Sequence, residues 1–297
     1  MRPRTRPRLH RARGRGGHLA AAGVAGALSV SSPRPSAEPP PACRALREAL
    51  RGAPLCTQLI HHTEIDSTQA YALAHDPAPG TLIVADRQHA GGGRRGRSWH
   101  APPGGLWCTL VLATRRAPTE GLALTLLGGL AVRDAIERTS GLRCGLRWPN
   151  DVVASGRKLA GVLVDVRERR ALFGIGIDLA CDLDRFPPAL RPLVTTVAAE
   201  TGRAPARAVV VRAVLEALAP LLALWEQGRD DALRERLRPH VTAIGRRVRV
   251  LEPAPGAAPF EGRAIGLDPR GALLVARAGA SDRPIAVYSS SVEVLDS

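Results

Sequence analysis

The chain has 297 residues, of which 45% are hydrophobic and 3% aromatic, so it is long enough for a globular core built mainly from aliphatic side chains. Its five cysteines are an odd number, scattered without a C-x-x-C pair, which argues against a disulfide framework and a zinc site and favours a cytoplasmic protein with reduced thiols. A net charge of +15 would suit nucleic-acid binding, but eight arginines against one acid fall in the first 42 residues, and the remainder is only moderately basic.

Residues 1–42 have a composition that cannot support a packed core. An Arg/Pro-rich run is followed by an apolar stretch, Leu19 to Val30, and by a Ser/Pro-rich segment ending at Pro41. The apolar stretch is too short to span a bilayer, so we expect no membrane anchor there. We predict a disordered extension or a misassigned start codon; a targeting segment and an arm for nucleic acid or an acidic partner are the alternatives.

From residue 43 to 239, predicted strands and helices mix without the regular alternation of a doubly wound fold, which favours an α+β domain. An N-cap signal, Asp66-Ser67-Thr68, follows an extended segment. The run Thr81 to Ala85 predicts a buried strand that leads into a glycine- and arginine-rich loop, Gly91 to Arg97. In chain order we predict a helix 44–51, a helix 69–74, strands 81–85 and 106–113, a helix 120–138, strands 143–147, 152–154, 159–166 and 171–179, and helices 205–227 and 230–237.

After Pro239 the sequence changes to short strands separated by Gly/Pro turns. About fifty residues of this kind suggest a small β-barrel. The predicted organisation is therefore an extension, residues 1–42, a main domain, residues 43–239, and a terminal β domain, residues 240–297. The terminal strands are predicted at 246–251, 260–267, 272–276, 285–288 and 292–295.

The loop Gly91-Gly92-Gly93-Arg94-Arg95-Gly96-Arg97-Ser98 nearly matches a P-loop, with Arg97 in place of the lysine. A P-loop must open a helix, and Trp99 to Gly105, with two prolines and two glycines, cannot continue one. The P-loop interpretation therefore fails. Glycines that let the backbone approach a ligand, and guanidiniums that bind phosphate or carboxylate oxygens, remain. An RGG-like nucleic-acid contact is the alternative. The preceding buried strand and the aromatic Trp99 favour a loop that is ordered and covers a pocket.

Lysine occurs once, at Lys158, against 41 arginines. A lysine ammonium is a compact point charge that can lie between two oxygens or titrate when buried, whereas arginine spreads its charge over a planar fork. Codon bias that left one lysine is the plain alternative. The neighbours favour chemistry, because Lys158 lies in the glycine-bounded run Gly156-Arg157-Lys158-Leu159-Ala160-Gly161.

Two further segments flank that lysine. In Trp148-Pro149-Asn150-Asp151 an amide stands beside a carboxylate, a pair that can hydrogen-bond nucleoside hydroxyls and amines or simply form a turn. In Gly174-Ile175-Gly176-Ile177-Asp178 the glycines interrupt a strand, which indicates close approach by a ligand or another backbone.

Together these segments resemble the biotin–protein ligases, enzymes that activate biotin with ATP and attach it to a lysine of a carboxylase carrier domain. The resemblance covers Glu64 to the C-terminus. It implies a mixed-sheet catalytic domain of the biotin/lipoate ligase type and a C-terminal SH3-like barrel. Its motifs, in family-like order, are Asp66 to Gln69, Gln88 to Trp99, Trp148 to Asp151, Gly156 to Gly161 and Gly174 to Asp178.

The resemblance also implies roles for individual residues. Ser67, Thr68 and Gln88 would hold the ureido ring of biotin, and Lys158 would bridge its carboxylate and the α-phosphate. The implied catalytic residues are Lys158, Arg94 and Asp151, with Asp151 placed to orient or deprotonate the carrier lysine. The implied biotin-binding residues are Ser67, Thr68, Gln69, Gln88, Gly92, Gly93, Arg94, Lys158, Gly161 and Gly176. The implied ATP-binding residues are Arg94, Arg97, Trp99, Asn150, Asp151 and Asp178.

Three positions depart from the family pattern. Gly92 stands where the family usually has an arginine, Gln69 replaces an asparagine, and Asp178 replaces an asparagine near the adenine. A carboxylate at Asp178 could accept from an amine but could not donate. We therefore expect nucleotide affinity to be the property these departures affect most.

The resemblance implies ATP with Mg²⁺, which would neutralise the departing pyrophosphate, and no metal ligands are assigned. The expected partner is the biotin carboxyl carrier protein of acetyl-CoA carboxylase or a related carboxylase; a homodimer is an open alternative, and neither specific DNA nor a membrane is expected. A lipoate or octanoate ligase of the same fold would lack the motifs at Trp148 to Asp151 and Gly156 to Gly161. A biotin-sensing repressor would need a winged helix, but the residues before Cys43 show no helical periodicity, and too few remain between Cys43 and Glu64 for such a domain.

Overall fold

The computed structural model describes residues 41–116, 121–253, 256–277, 283–288 and 290–295. The predicted extension lies outside these residues except for its last two, Pro41 and Ala42, which begin a helix. The predicted start of the third helix, Glu120, also lies outside them.

The main domain is built on an eight-stranded mixed sheet. Its strands are β1 Gln58–Ile65, β2 Thr81–Gly92, β3 Ser98–Ala101, β4 Leu106–Ala113, β5 Gly145–Arg147, β6 Asp151–Ala154, β7 Arg157–Arg167 and β8 Arg170–Ile177. The order across the sheet is β1-β2-β4-β8-β7-β6-β5, and β3 pairs with β2. Only β1 and β2 are parallel among the named strand pairs of this described sheet. The predicted α+β class with a mixed sheet is confirmed.

Helices cover the sheet. The described α-helices are α1 Pro41–Ala49, α2 Thr68–His75, α3 Gly121–Ser140, α4 Val197–Thr201, α5 Arg207–Glu226 and α6 Asp230–Leu237. α3 packs against α5, and Gly128 lets α3 approach the sheet, because a Cβ there would lie 2.8 Å from Val162 Cγ1. α5 is long and apolar enough to cross a membrane by length and composition; here it carries buried residues such as Leu218 and Trp225 into the main core.

The two faces of the sheet are distinguished by strand alternation. Leu110 and Phe173 belong to the main core with α3 and α5, whereas Val111 and Leu172 pack with Ala72 of α2. Val111, Leu172 and every second residue along their strands therefore face the side of the sheet that carries α2.

The terminal domain is a five-stranded antiparallel sheet. Its strands are β9 Arg247–Val250, β10 Phe260–Leu267, β11 Leu273–Ala276, β12 Ile285–Val287 and β13 Val292–Val294, in the order β12-β11-β10-β9-β13. A buried hydrogen bond joins it to the main domain: Trp148 Nε1 donates to the backbone oxygen of Gly271, 3.0 Å away. The antiparallel β domain predicted after Pro239 is consistent with this sheet.

The main error of the sequence prediction lies at the arginine-rich loop. The strand predicted to end at Ala85 continues to Gly92, because β3, which was not predicted, pairs with it. Gly91 and Gly92 are therefore strand residues opposite Trp99 and Ser98, and the loop is the tip of a hairpin with one turn of 3-10 helix at Arg94–Gly96. Cross-strand pairing outweighs the low strand propensity of glycine here. β1 was recognised only as an extended segment, and α4 was missed.

Candidate functional site

A cavity of about 320 Å³ opens over β8. Every residue assigned to the site from the sequence lines it: Ser67, Thr68, Gln69, Gln88, Gly92, Gly93, Arg94, Arg97, Trp99, Asn150, Asp151, Lys158, Gly161, Gly176 and Asp178. The structure thus brings residues more than a hundred positions apart to one place. Their individual roles stay predictions.

The cavity follows β8, and its length can be read from the strand. Gly174, Gly176 and Asp178 alternate toward one side, so at about 3.3 Å per residue they mark a path of about 13 Å. Gly174 lies opposite Thr109 of β4 and Gly176 opposite Gly161 of β7. These three positions define a polar end at Gly174, a middle at Gly176 and a far end at Asp178.

The polar end presents hydroxyl and amide groups. Ser67 caps α2 by accepting from the backbone N–H of Ala70 at 3.3 Å. Gln88 Oε1 accepts from both the backbone N–H and the hydroxyl of Thr68, at 2.7 and 2.9 Å. Among the described residues none accepts from Gln88 Nε2, so this fixed amide can donate to a ligand.

Thr109 was not predicted from the sequence, although it lines the polar end. It is fully buried, and its hydroxyl lies 2.9 Å from Thr68 Oγ1 and 3.0 Å from Gln69 Oε1. A single threonine inside the apolar strand Leu106–Ala113 was the available signal. Buried hydroxyls require partners, so such a residue marks a polar network.

Gln69 lies behind this network. Its Nε2 donates to Asp165 Oδ2 at 2.9 Å and to the backbone oxygen of Leu172 at 3.1 Å. Gly174 makes room for it, because a Cβ there would lie 2.6 Å from Gln69 Oε1. The amide is thus used to position Thr109 and α2, and a direct contact of Gln69 with biotin stays a prediction.

The middle of the cavity is occupied by the Trp99 indole ring. A Cβ at Gly176 would lie 2.6 Å from Trp99 Cε2, and one at Gly161 would lie 3.0 Å from Trp99 Cζ3. Gly176 and Gly161 therefore accommodate an aromatic side chain, whereas the strand glycines were predicted to mark close approach by a ligand or another backbone. Trp99 Nε1 is buried without a hydrogen-bond partner among the described residues. Such a donor is costly to leave unpaired, which favours a ligand acceptor there.

Lys158 lies beside this ring. Its Nζ is 4.9 Å from the centre of the Trp99 ring and 2.6 Å from Asp151 Oδ1. A turn with positive φ at Ser155 and Gly156 joins β6 to β7 and brings the two charged residues together. Asn150 precedes Asp151, and its backbone oxygen accepts from Val162 N–H at 2.9 Å. The sole lysine is thus held in mid-cavity by one carboxylate and one aromatic face.

The hairpin tip forms a cationic wall. Arg94 and Arg97 line the cavity, and burial, reinforced by the charges of Arg95 and Arg97, lowers the pKa of Arg94. Arg95, in the left-handed region at φ 57°, places its Nη1 3.5 Å from Glu252 of the terminal domain. At Gly92 a Cβ would meet no atom within 4 Å, so space does not require the glycine that departs from the family pattern.

The far end combines apolar side chains with Asp178 and His100, whose ring centre lies 5.4 Å from that of Phe186. Side chains from the segment after β8 line it: Phe186, Leu190, Leu193 and Val194. Asp178 is 2% exposed, and burial raises the pKa of its carboxyl to about 8, although a bond from Cys181 and the charge of Lys158 act against this. Most of this carboxyl is therefore neutral at pH 7. The segment after β8 was missed as part of the site because its apolar residues resemble core.

Backbone bonds fix that segment against β7 and β8. Thr195 N–H donates to the Lys158 oxygen at 2.8 Å, and Val197 N–H donates to the Asp178 oxygen at 3.0 Å. Glu200 of α4 accepts from Thr195 at 2.7 Å and from Arg157 at 2.8 Å. These bonds lower the pKa of Glu200, with the Thr195 bond as the largest cause.

Comparison with known proteins identifies the class first. Residues 62–182 match the biotin/lipoate A/B protein ligase family, and residues 243–294 match the biotin protein ligase C-terminal domain. A mixed sheet with this cavity is therefore that of a protein ligase of the biotin/lipoate type.

Similar proteins narrow the class. The chain is 31% identical over 272 residues to the bifunctional ligase/repressor BirA of Bacillus spizizenii, covering 84% of this chain and 78% of that protein. It is 34% identical to the biotin–[acetyl-CoA-carboxylase] ligase of Paracoccus denitrificans, covering 73% and 92%. A solved biotin protein ligase from Aquifex aeolicus, in complex with biotin and ATP, superposes with a TM-score of 0.70 at 28% identity, covering 80% and 99%. The chain belongs to the biotin protein ligase family, which confirms the resemblance.

Proposed function

We propose that the protein activates biotin with ATP to biotinoyl-5′-AMP and transfers the biotinoyl group to a lysine of the biotin carboxyl carrier protein of acetyl-CoA carboxylase or a related carboxylase. The Paracoccus relative is named for this activity, and the Aquifex structure holds biotin and ATP. A cytoplasmic location and the absence of specific DNA and membrane partners remain part of the proposal.

The position of Lys158 between the two ends of the cavity carries the proposal. Activation brings a carboxylate against a triphosphate, and a fixed cation stabilises the charge that develops between them. Loss of one such group typically costs about 3 kcal/mol, or about a hundredfold in rate. Lys158 would exchange Asp151 for these ligand oxygens, and Arg94 and Arg97 would supply further charge from the hairpin.

The two ends suit the two substrates. A ureido ring presents one carbonyl and two N–H groups, which match Gln88 Nε2 and the hydroxyls of Ser67 and Thr68. The far end, where apolar side chains and the Asp178 carboxyl line the cavity, suits a purine. Asn150 would contact the ribose, and the unpaired Trp99 N–H would donate to a ligand oxygen.

Mg²⁺ would enter with the nucleotide. Among the described residues no group of three or more His, Cys, Asp or Glu side chains could hold a metal ion. A hard cation bound mainly by phosphate oxygens and water needs no such group. When bound, it would neutralise phosphate charge.

Asp151 would serve the transfer step. Once Lys158 has turned to the ligand, the Asp151 carboxylate loses its 2.6 Å partner and can accept a proton from the incoming carrier lysine. Asp151 would thus hold Lys158 before activation and assist the attacking amine of the carrier lysine afterwards.

The test uses the full chain with ATP, Mg²⁺, a biotin carrier domain and either biotin or lipoate. We expect a streptavidin-detected product that requires ATP and the target lysine of the carrier, with an arginine variant of that carrier as the control. Transfer of lipoate at an equal or greater rate, or no transfer of biotin, would refute the proposal. A salt-dependent gel shift with a specific operator would support the repressor alternative instead.

A further inference from the structure

Asp178 is a charged residue type in an environment that suits a neutral one. Among the described residues its carboxyl has one hydrogen-bonding side-chain partner, the Cys181 thiol at 3.7 Å, which is a weak donor. The single lysine of the chain is committed elsewhere, because Lys158 Nζ pairs with Asp151. A carboxylate left without a strong donor or a cation in a buried site favours its protonated form.

Among the described residues, the groups that act on the Asp178 carboxyl add no second charge to that of Lys158. Cys181 faces it from the following segment and Lys158 from β7. On the α4 side, the Val197 N–H donates to the backbone oxygen of Asp178 and not to its carboxyl, and Glu200 bonds to Ser155, Arg157 and Thr195. The carboxyl nevertheless lines the cavity, beside Phe186 and Val194. Its remaining hydrogen-bonding capacity is therefore available to a ligand.

We propose that Asp178 is a specificity-determining residue whose protonated carboxyl recognises the adenine edge, accepting from the exocyclic amino group and donating to N1. This inference rests on the proposed use of ATP. A protonated carboxyl presents one donor beside one acceptor, as a side-chain amide does. It would thus perform the role of the asparagine that the family usually has at this position, because the protonated carboxyl can donate where a carboxylate could not.

Ionisation removes the donor. An ionised Asp178 would place a negative oxygen against the N1 lone pair, so nucleotide binding should weaken as pH rises past the point of deprotonation. If the ionised form does not bind, a single ionisation near pH 8 makes the KM for ATP about twofold higher at pH 8 and about tenfold higher at pH 9 than at pH 6.5.

The experiment measures biotin-dependent pyrophosphate exchange between pH 6.5 and 9 in the wild type, Asp178→Asn and Asp184→Asn. We expect the KM for ATP to rise in the wild type and to stay constant in Asp178→Asn, which keeps a donor at all pH values. Asp184 lies in the same segment with its side chain 87% exposed, so Asp184→Asn should follow the wild type. A second probe is 1-deaza-ATP, which lacks the N1 acceptor and should bind the wild type roughly tenfold more weakly than ATP at pH 7.

The outcomes separate the two proposals. No exchange by the wild type at pH 7 would overturn the proposed function itself. Exchange with a constant KM for ATP in the wild type, or the same rise in Asp178→Asn, would overturn the role of Asp178 while leaving the ligase proposal intact. Thermal unfolding of each variant at pH 7 shows that the comparison is made between folded proteins.

Discussion

Gly176→Ala tests whether the glycine at this position of β8 is needed to accommodate the Trp99 ring. The backbone φ at Gly176 is outside the left-handed region, so alanine adds no backbone strain and the effect is purely steric. The new Cβ would lie 2.6 Å from Trp99 Cε2 and 2.7 Å from its Nε1, whereas ordinary contacts begin at 3.4 Å.

About 0.8 Å must therefore be recovered by moving the ring or the strand. Overpacking of this kind typically costs about 1–3 kcal/mol. Because Trp99 is only partly buried, we expect the lower half of that range, with the hairpin displaced and the KM for biotin increased. The ring that separates the two ends of the cavity would no longer lie over Gly161.

Urea unfolding followed by far-ultraviolet circular dichroism measures the stability, and pyrophosphate exchange measures the KM. Gly266→Ala is the matched control, since a Cβ at that strand glycine meets no atom within 4 Å, and its effect should be within about 0.5 kcal/mol. In Trp99→Ala/Gly176→Ala the overlap is absent, so the cost of the second change should largely disappear. Equal stability and KM in Gly176→Ala and Gly266→Ala would refute this packing argument.

Three further predictions follow from the site. Lys158→Arg should release pyrophosphate in the presence of biotin about a hundredfold more slowly, because a guanidinium cannot replace a compact ammonium between Asp151 and Trp99. A near-normal rate would contradict the role given to Lys158. Glu200→Gln should lower the free energy of unfolding in urea by about 1–3 kcal/mol and raise the KM for ATP, because the segment that contains Thr195 loses a charge-assisted hydrogen bond. An unchanged KM for ATP would show that Glu200 does not affect the site. Relative to Asp178→Asn, the wild type should lose about 1.4 kcal/mol of unfolding free energy per pH unit from about pH 4 to 8, because the Asp178 carboxyl ionises at lower pH in the unfolded chain than in the folded protein. If the free energies of unfolding in urea of the two proteins change in parallel at pH 5, 6 and 7, the pKa of Asp178 is not raised.

The motifs that the sequence singled out converge on one cavity, and their assigned roles stay predictions. The Lys158 run, the arginines and the Gly174-x-Gly176 pattern stand out from an aliphatic, arginine-rich background. Local patterns also predicted helices and strands closely, as at Leu106–Ala113 and Asp230–Leu237, which have the predicted bounds.

What the sequence could not supply depends on partners distant in the chain. β3 exists because it pairs with β2, and four residues of mixed polarity carry no signal for it. The strand glycines indicated close approach, but the approaching group, Trp99, could not be identified. The protonation state of Asp178 follows from its burial, which no local pattern of residues expresses.

The Lys158–Asp151 ion pair also bears on whether the protein would label itself. Activated biotin acylates unprotonated amines, and this chain has one lysine, whose ammonium is held by a carboxylate inside the cavity. Its outer surface therefore offers no lysine to an escaping acyl-adenylate. If the enzyme forms the acyl-adenylate that we propose, labelling of the chain by its own product should therefore be low.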